Sequence, residues 1–116
     1  MHEMGIIAGV LDAVNASALD AGATKVLAVN LRVGEMTEAI AEALEFAFEA
    51  LSEGTLSEGA ELSIEWVGPH SICLECANEF SHDRFHRICP ACGSYETTLL
   101  SGRELEIASI EVDLPD

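Results

Sequence analysis

Cations are scarce in this sequence. Five Lys and Arg stand against 21 Asp and Glu among 116 residues, for a formal net charge of −16. Phosphate neutralisation supplies most non-specific affinity for nucleic acid, and five dispersed cations cannot build a basic face, so nucleic acid is excluded as a partner. An anionic membrane surface is disfavoured for the same reason. No run approaches the roughly 18 apolar residues of a membrane span. The opening Met1-His2-Glu3-Met4 carries no cationic export signal, which predicts a cytoplasmic protein. Repeats and low-complexity runs are also missing. What is present is a 49% hydrophobic composition, enough to bury a core in one domain with a small satellite.

From Glu3 to about Asp20, Ile6, Ile7, Val10, Leu11, Val14 and Ala18 recur at spacings of three and four, the stripe of an amphipathic helix that Gly22 stops. Lys25 to Val33 alternates and reads as a strand burying Leu27, Val29, Leu31 and Val33. Thr37 and Glu38 suit the start of a second helix, with Ile40, Leu44, Phe48 and Leu51 on one face and a stop near Gly54. Leu62, Ile64 and Trp66 alternate along a second strand. Leu105 to Val112 alternates less cleanly as a late strand, with Leu105, Ile107 and Val112 as candidate inward positions. The strand, helix, strand order favours a parallel pair, to which the late strand adds antiparallel.

This predicts an α+β fold in which two helices pack on a small mixed sheet of about three strands. A zinc-ribbon-like module is inserted into it. The expected division is 1–69 with 99–116 as one α/β domain and 70–98 as the other.

All four cysteines fall in that second segment. Cys73 and Cys76 form one CxxC, Cys89 and Cys92 another, with twelve residues between the pairs. Two such turns bring four sulfurs together as a closed tetrahedron for Zn²⁺, and Pro90 and Gly93 suit the second turn. An iron–sulfur cluster, two disulfides or a redox pair are the competing uses of these residues. Structural zinc fits best, because the segment has too little apolar content for its own core and zinc binding would fold it. His70, His82 and His86 surround the cluster as surface or supporting residues.

The amino terminus offers a different donor set. The α-amine of Met1, the backbone nitrogens of His2 and Glu3, and the His2 imidazole can present four nitrogens in a plane, which suits Ni²⁺ or Cu²⁺ better than Zn²⁺. A bulky second residue should keep Met1 in place. Glu3 also favours the start of the first helix through its dipole.

Met1-His2-Glu3, Phe46-Ala47-Phe48-Glu49, Glu58-Gly59-Ala60, the two CxxC pairs, Cys89-Pro90-Ala91-Cys92-Gly93-Ser94 and Gly102-Arg103-Glu104-Leu105 occur in register over the whole length. In these motifs the chain resembles the HypA-type hydrogenase nickel-incorporation proteins. The resemblance implies a metallochaperone, not an enzyme, that delivers Ni²⁺ to the large subunit of [NiFe] hydrogenase, in some organisms also to urease. Its implied partner is a nickel-handling GTPase of the HypB type. It makes His2 the nickel ligand, places Glu3 in the nickel site and in partner contact beside the Met1 amine read above, and gives Cys73, Cys76, Cys89 and Cys92 to structural zinc. Gly5 departs from the Ser of many members. The twelve-residue gap between cysteine pairs carries no long His-bearing insertion. The rival reading is a zinc-ribbon protein-interaction module with no nickel role.

Overall fold

The computed structural model describes residues 3–115, in the order α1 (Glu3–Asp20), β1 (Lys25–Gly34), a short 3₁₀ turn (Glu35–Thr37), α2 (Ala41–Ser52), β2 (Glu61–Val67), β3 (His70–Cys73), β4 (Glu79–Ser81), β5 (Thr97–Ser101) and β6 (Leu105–Asp113). The architecture is the expected α+β one, with two helices, a small mixed sheet and a separate four-cysteine module.

The chain forms two compact units. The first takes the sequence up to Leu31, then Ala39–Glu65, and resumes at Glu106. Here α1 buries Ile7, Leu11, Val14 and Ala18, and packs against α2, which buries Leu44, Ala47 and Phe48. Gly22 sits at φ +75°, a left-handed position open to glycine, and ends α1 where the sequence places the stop. Ser57 is fully buried and its hydroxyl donates to Asn15 Oδ1 at 2.6 Å.

The second unit is Arg32–Glu38 with Trp66–Leu105, larger than the 70–98 segment expected. Backbone contacts explain the added residues. Gly34 N–H donates to Glu104 O and Met36 N–H to Gly102 O, each at 2.7 Å, which binds the 3₁₀ turn to the stretch before β6. Within this unit β3 pairs antiparallel with both β4 and β5, giving the order β4-β3-β5. The other sheet has the order β2-β1-β6. Thr24 N–H bonds Asp113 O and Gly34 N–H bonds Glu104 O, so β6 runs antiparallel to β1.

Side-chain expectations at Leu27, Thr37, Ile40, Leu105 and Ile107 are corrected. Leu27 is 47% exposed, while Val26 and Ala28 are buried together with Val29, Leu31 and Val33. The buried positions change parity between Ala28 and Val29, which leaves Leu27 on the open side. Thr37 does not start α2: its hydroxyl bonds back to Gly34 O at 2.8 Å within the 3₁₀ turn. Ile40 takes the N-cap position instead and is exposed, its N–H meeting a carboxylate of α1. In β6, Leu105 and Ile107 are exposed, and Ile110 with Val112 is half-buried, because β6 lies at the sheet edge with one neighbour.

Candidate metal centre

The four cysteines come from two turns of the same construction. After Cys73 at the end of β3, Cys73 N–H donates to Asn78 O and Ala77 N–H returns to Cys73 O. After Cys89, Cys89 N–H donates to Ser94 O and Gly93 N–H returns to Cys89 O. Ala77 at φ +64° and Gly93 at φ +75° hold the left-handed position that follows each second cysteine. For Ala77 this conformation is unfavourable by about 1–2 kcal/mol, which the surrounding turn must offset.

The sulfurs meet at one point. Cys73 Sγ lies 3.6 Å from Cys92 Sγ and Cys76 Sγ 3.6 Å from Cys89 Sγ, and all four lie within 4.8 Å of one another. A tetrahedron with zinc–sulfur distances of about 2.3 Å has an edge of about 3.8 Å, so the donor set fits Zn²⁺. Cys73 and Cys89 are buried, and Cys76 and Cys92 are exposed.

Backbone amides are aimed at the sulfurs. The Cys76 N–H holds the Cys73 thiol below its ordinary value, against burial and with help from the Glu75 N–H. Burial acts most strongly on Cys89 and pushes its thiol up, but the N–H groups of Cys92 and Ala91 and the neighbouring thiols outweigh it, bringing it to about 6. The Asn78 N–H lowers Cys76, yet the Cys89 thiol and burial leave it raised. The Ser94 N–H lowers Cys92, but the other three thiols and burial push it up to about 12. Such a cluster ionises in steps, two sulfurs readily and two reluctantly, until a cation takes the place of the protons.

Among the described residues these four cysteines are the only group of three or more His, Cys, Asp or Glu able to share an ion. The histidines are engaged elsewhere. His70 bonds Ser81 Oγ at 3.1 Å through Nδ1 and meets Glu79 at 3.4 Å through Nε2. His82 Nδ1–H donates to Asp83 O at 2.6 Å, and its Nε2 lies 2.7 Å from the hydroxyl of buried Ser71. His86 Nδ1 meets Asp83 at 2.7 Å. The His86 hydrogen bond, followed by the Phe85 N–H, holds the Asp83 carboxyl below its ordinary range. Sequence reasoning missed Asp83 and Asn78, whose amide donates to Cys89 Sγ at 3.8 Å. Asp83 three residues before His86 was the available signal.

Met1 and His2 lie outside the described residues. Glu3, the third residue of the expected nickel site, opens α1, and its Oε2 accepts from Ile40 N–H at 3.1 Å.

Two helices, a small mixed sheet and a tetrathiolate module define a small metal-binding protein of the zinc-ribbon-bearing α+β class. The family described as "Hydrogenase/urease nickel incorporation, metallochaperone, hypA" matches residues 1–112, and the chain belongs to it. It is 39% identical over 113 residues to the hydrogenase maturation factor HypA of Prosthecochloris aestuarii, covering 97% of this chain and 100% of the relative. It is 41% identical to that of Geobacter metallireducens, with the same coverage. Among solved structures, the Ni metallochaperone HypA of Helicobacter pylori shares the fold with a TM-score of 0.71 at 22% identity, over 99% of this chain and 100% of that one. The chain is thus a member of a nickel metallochaperone family for hydrogenase maturation, and no helix among its described residues is long and apolar enough to cross a membrane.

Proposed function

We propose that this chain carries Ni²⁺ in the cytoplasm on its first residues and hands it to the large subunit of a [NiFe] hydrogenase, with urease as a second recipient, while Cys73, Cys76, Cys89 and Cys92 hold a structural Zn²⁺. A HypB-type GTPase is the partner in loading or release. No catalytic residue is assigned. The observation that carries this reading is the family match from residue 1, which includes Met1-His2-Glu3. Zinc, once bound, supplies a crosslink between the two turns, and the closed set of thiolates leaves no position for a reactive water.

Cargo chemistry follows from the donors. An imidazole, an amine and two amide nitrogens favour a planar d⁸ ion, and Glu3 stands beside them as a carboxylate. Amine and imidazole, with reference pKa values of about 7.7–8.0 and about 6.5, must both lose protons, so mild acidification releases the ion. Donors at a chain end can be exchanged one at a time by a recipient.

Calorimetric Ni²⁺ titration of His2→Ala, and of a chain with one residue added before Met1, tests this. Both variants lose the site while zinc content stays the same. Unchanged affinity in either overturns the terminal site. A host lacking its own family member then reads delivery, as nickel in its hydrogenase large subunit restored by the native chain and not by His2→Ala.

A further inference from the structure

Phe85 and Tyr95 are the most solvent-exposed large apolar side chains among the described residues, at 81% and 80%. Both belong to the second unit, where with Arg87, Ile88 and Thr97 they line a groove of about 390 Å³. Ile88 is exposed as well. Leaving three such side chains in water forfeits burial that nothing in this unit recovers, and rings of this kind gather at protein–protein contacts.

Charge indicates what covers them. Around the groove, Arg84 and Arg87 stand with Asp83 and Glu96 at the ends of their segment, and Asp83 is taken up by His86 and the Phe85 N–H. Arg84 is spoken for: it pairs with Glu38 at 3.1 Å and lies 5.5 Å from the centre of the Phe85 ring. Arg87 is different. It is half-buried, its guanidinium has no hydrogen bond or ion pair among the described residues, and its Nε is closed off from water without an acceptor. Thr97 fixes its backbone by donating to Arg87 O at 3.1 Å. The cysteine sulfurs do not use it either, since Asn78 and backbone N–H groups serve them. A guanidinium fork held beside apolar rings lacks a planar two-oxygen acceptor.

We propose that the Phe85–Tyr95 groove docks an acidic segment of a partner protein, a carboxylate pairing with Arg87 and an adjacent apolar side chain seated among Phe85, Ile88 and Tyr95. A basic segment would leave the Arg87 guanidinium without an acceptor. The groove therefore discriminates between acidic and basic segments. This inference is independent of the nickel reading, because none of its residues lies near the amino terminus in sequence.

The zinc-loaded full chain is titrated by NMR with two synthetic peptides, one with Asp and Glu flanking a Phe, the other with Lys at those positions. The acidic peptide shifts the Tyr95 ring and the Thr97 amide, with affinity that falls as salt rises. Arg87→Ala and Phe85→Ala each weaken it about fivefold or more, Arg87→Lys retains part of it, and His2→Ala changes nothing. Equal zinc content in all variants shows that the module still folds. The proposal is overturned by equal binding of the Lys peptide, by acidic-peptide binding indifferent to Arg87→Ala, by no shift at millimolar peptide, or by self-association that fills the groove in place of peptide.

Discussion

Gly34 shows how little room one residue can have. A Cβ added there would stand 2.1 Å from the carbonyl carbon and oxygen of Gly102 and 2.5 Å from Arg103 N, all of them backbone atoms that cannot rotate aside. Its own backbone is ordinary, at φ −76°, so the constraint is steric and not conformational. Gly34→Ala should therefore destabilise the protein by about 3 kcal/mol, the upper range for overpacking. Urea unfolding measures this, and a loss below about 1 kcal/mol would mean that the two segments part easily. The thiols set a second residue-scale expectation. In the folded cluster Cys89 is held at about 6 and Cys92 pushed up to about 12, so a metal-free module that kept its turns would give up about three protons or fewer to zinc at pH 7. A module that unfolds without zinc has its thiols near their ordinary value of about 8.5 and gives up close to four, so zinc affinity falls steeply as pH falls. Calorimetry in buffers of different ionisation enthalpy counts the protons. Release close to four at pH 7 is expected, and about three or fewer would mean that the cluster persists without the ion.

At the scale of elements, a hydrogen bond joins α1 and α2 at their starts. An N-cap residue leaves its own N–H in need of an acceptor, commonly a Glu one turn later in the same helix. Here Glu3 of α1 supplies it for Ile40 of α2. Glu3→Ala should cost about 1 kcal/mol of stability, whereas Glu3→Gln keeps a carbonyl oxygen in place and most of that stability. Ni²⁺ titration of the same two proteins separates the structural role from the nickel one: a Gln variant that is stable yet binds nickel weakly places the carboxylate charge in the metal site. Equal stability of Glu3→Ala and the native chain would remove the contact from the account.

This contact also marks the limit of what the sequence reveals. The bounds of α1 were legible because Ile7, Leu11, Val14 and Ala18 keep one period throughout and Gly22 ends it. The thiolate site was legible because two CxxC spacings have few other uses. The start of α2 was not, because Thr37 is a good cap by composition and only the fold shows its hydroxyl bonding Gly34 while a residue thirty-seven positions away caps Ile40. Strands β4 and β5 left no alternation to read. At three and five residues they are ordered by pairing with β3 and by the cysteine turns, and not by an apolar face of their own.

For the molecule as a whole, the two units draw stability from different sources. The first has a continuous apolar interior, with Ile7, Leu11, Val14, Val26, Val29, Leu31, Leu44 and Phe48 all buried. In the module of the second, the buried cluster is Cys73, Phe80 and Cys89, so two of its three members are cysteines of the proposed zinc site. One buried ring contributes about 2–3 kcal/mol, whereas ordering a residue costs about 1–2 kcal/mol for the backbone alone, so roughly thirty residues cannot be held this way. Zinc binding, at about 10–16 kcal/mol in small modules, is the largest single contribution open to the module. Chelation at neutral pH should then collapse the amide NMR dispersion of β3, β4 and β5 while signals from α1 and α2 persist, and added Zn²⁺ should restore it. Cys89→Ser should reproduce the chelated spectrum without any chelator. If β3 to β5 keep their dispersion in metal-free protein, the hydrogen-bonded turns hold the module on their own and the ion is a passenger. If the helices melt along with it, the first unit leans on the second and the division of stability drawn from their cores is wrong.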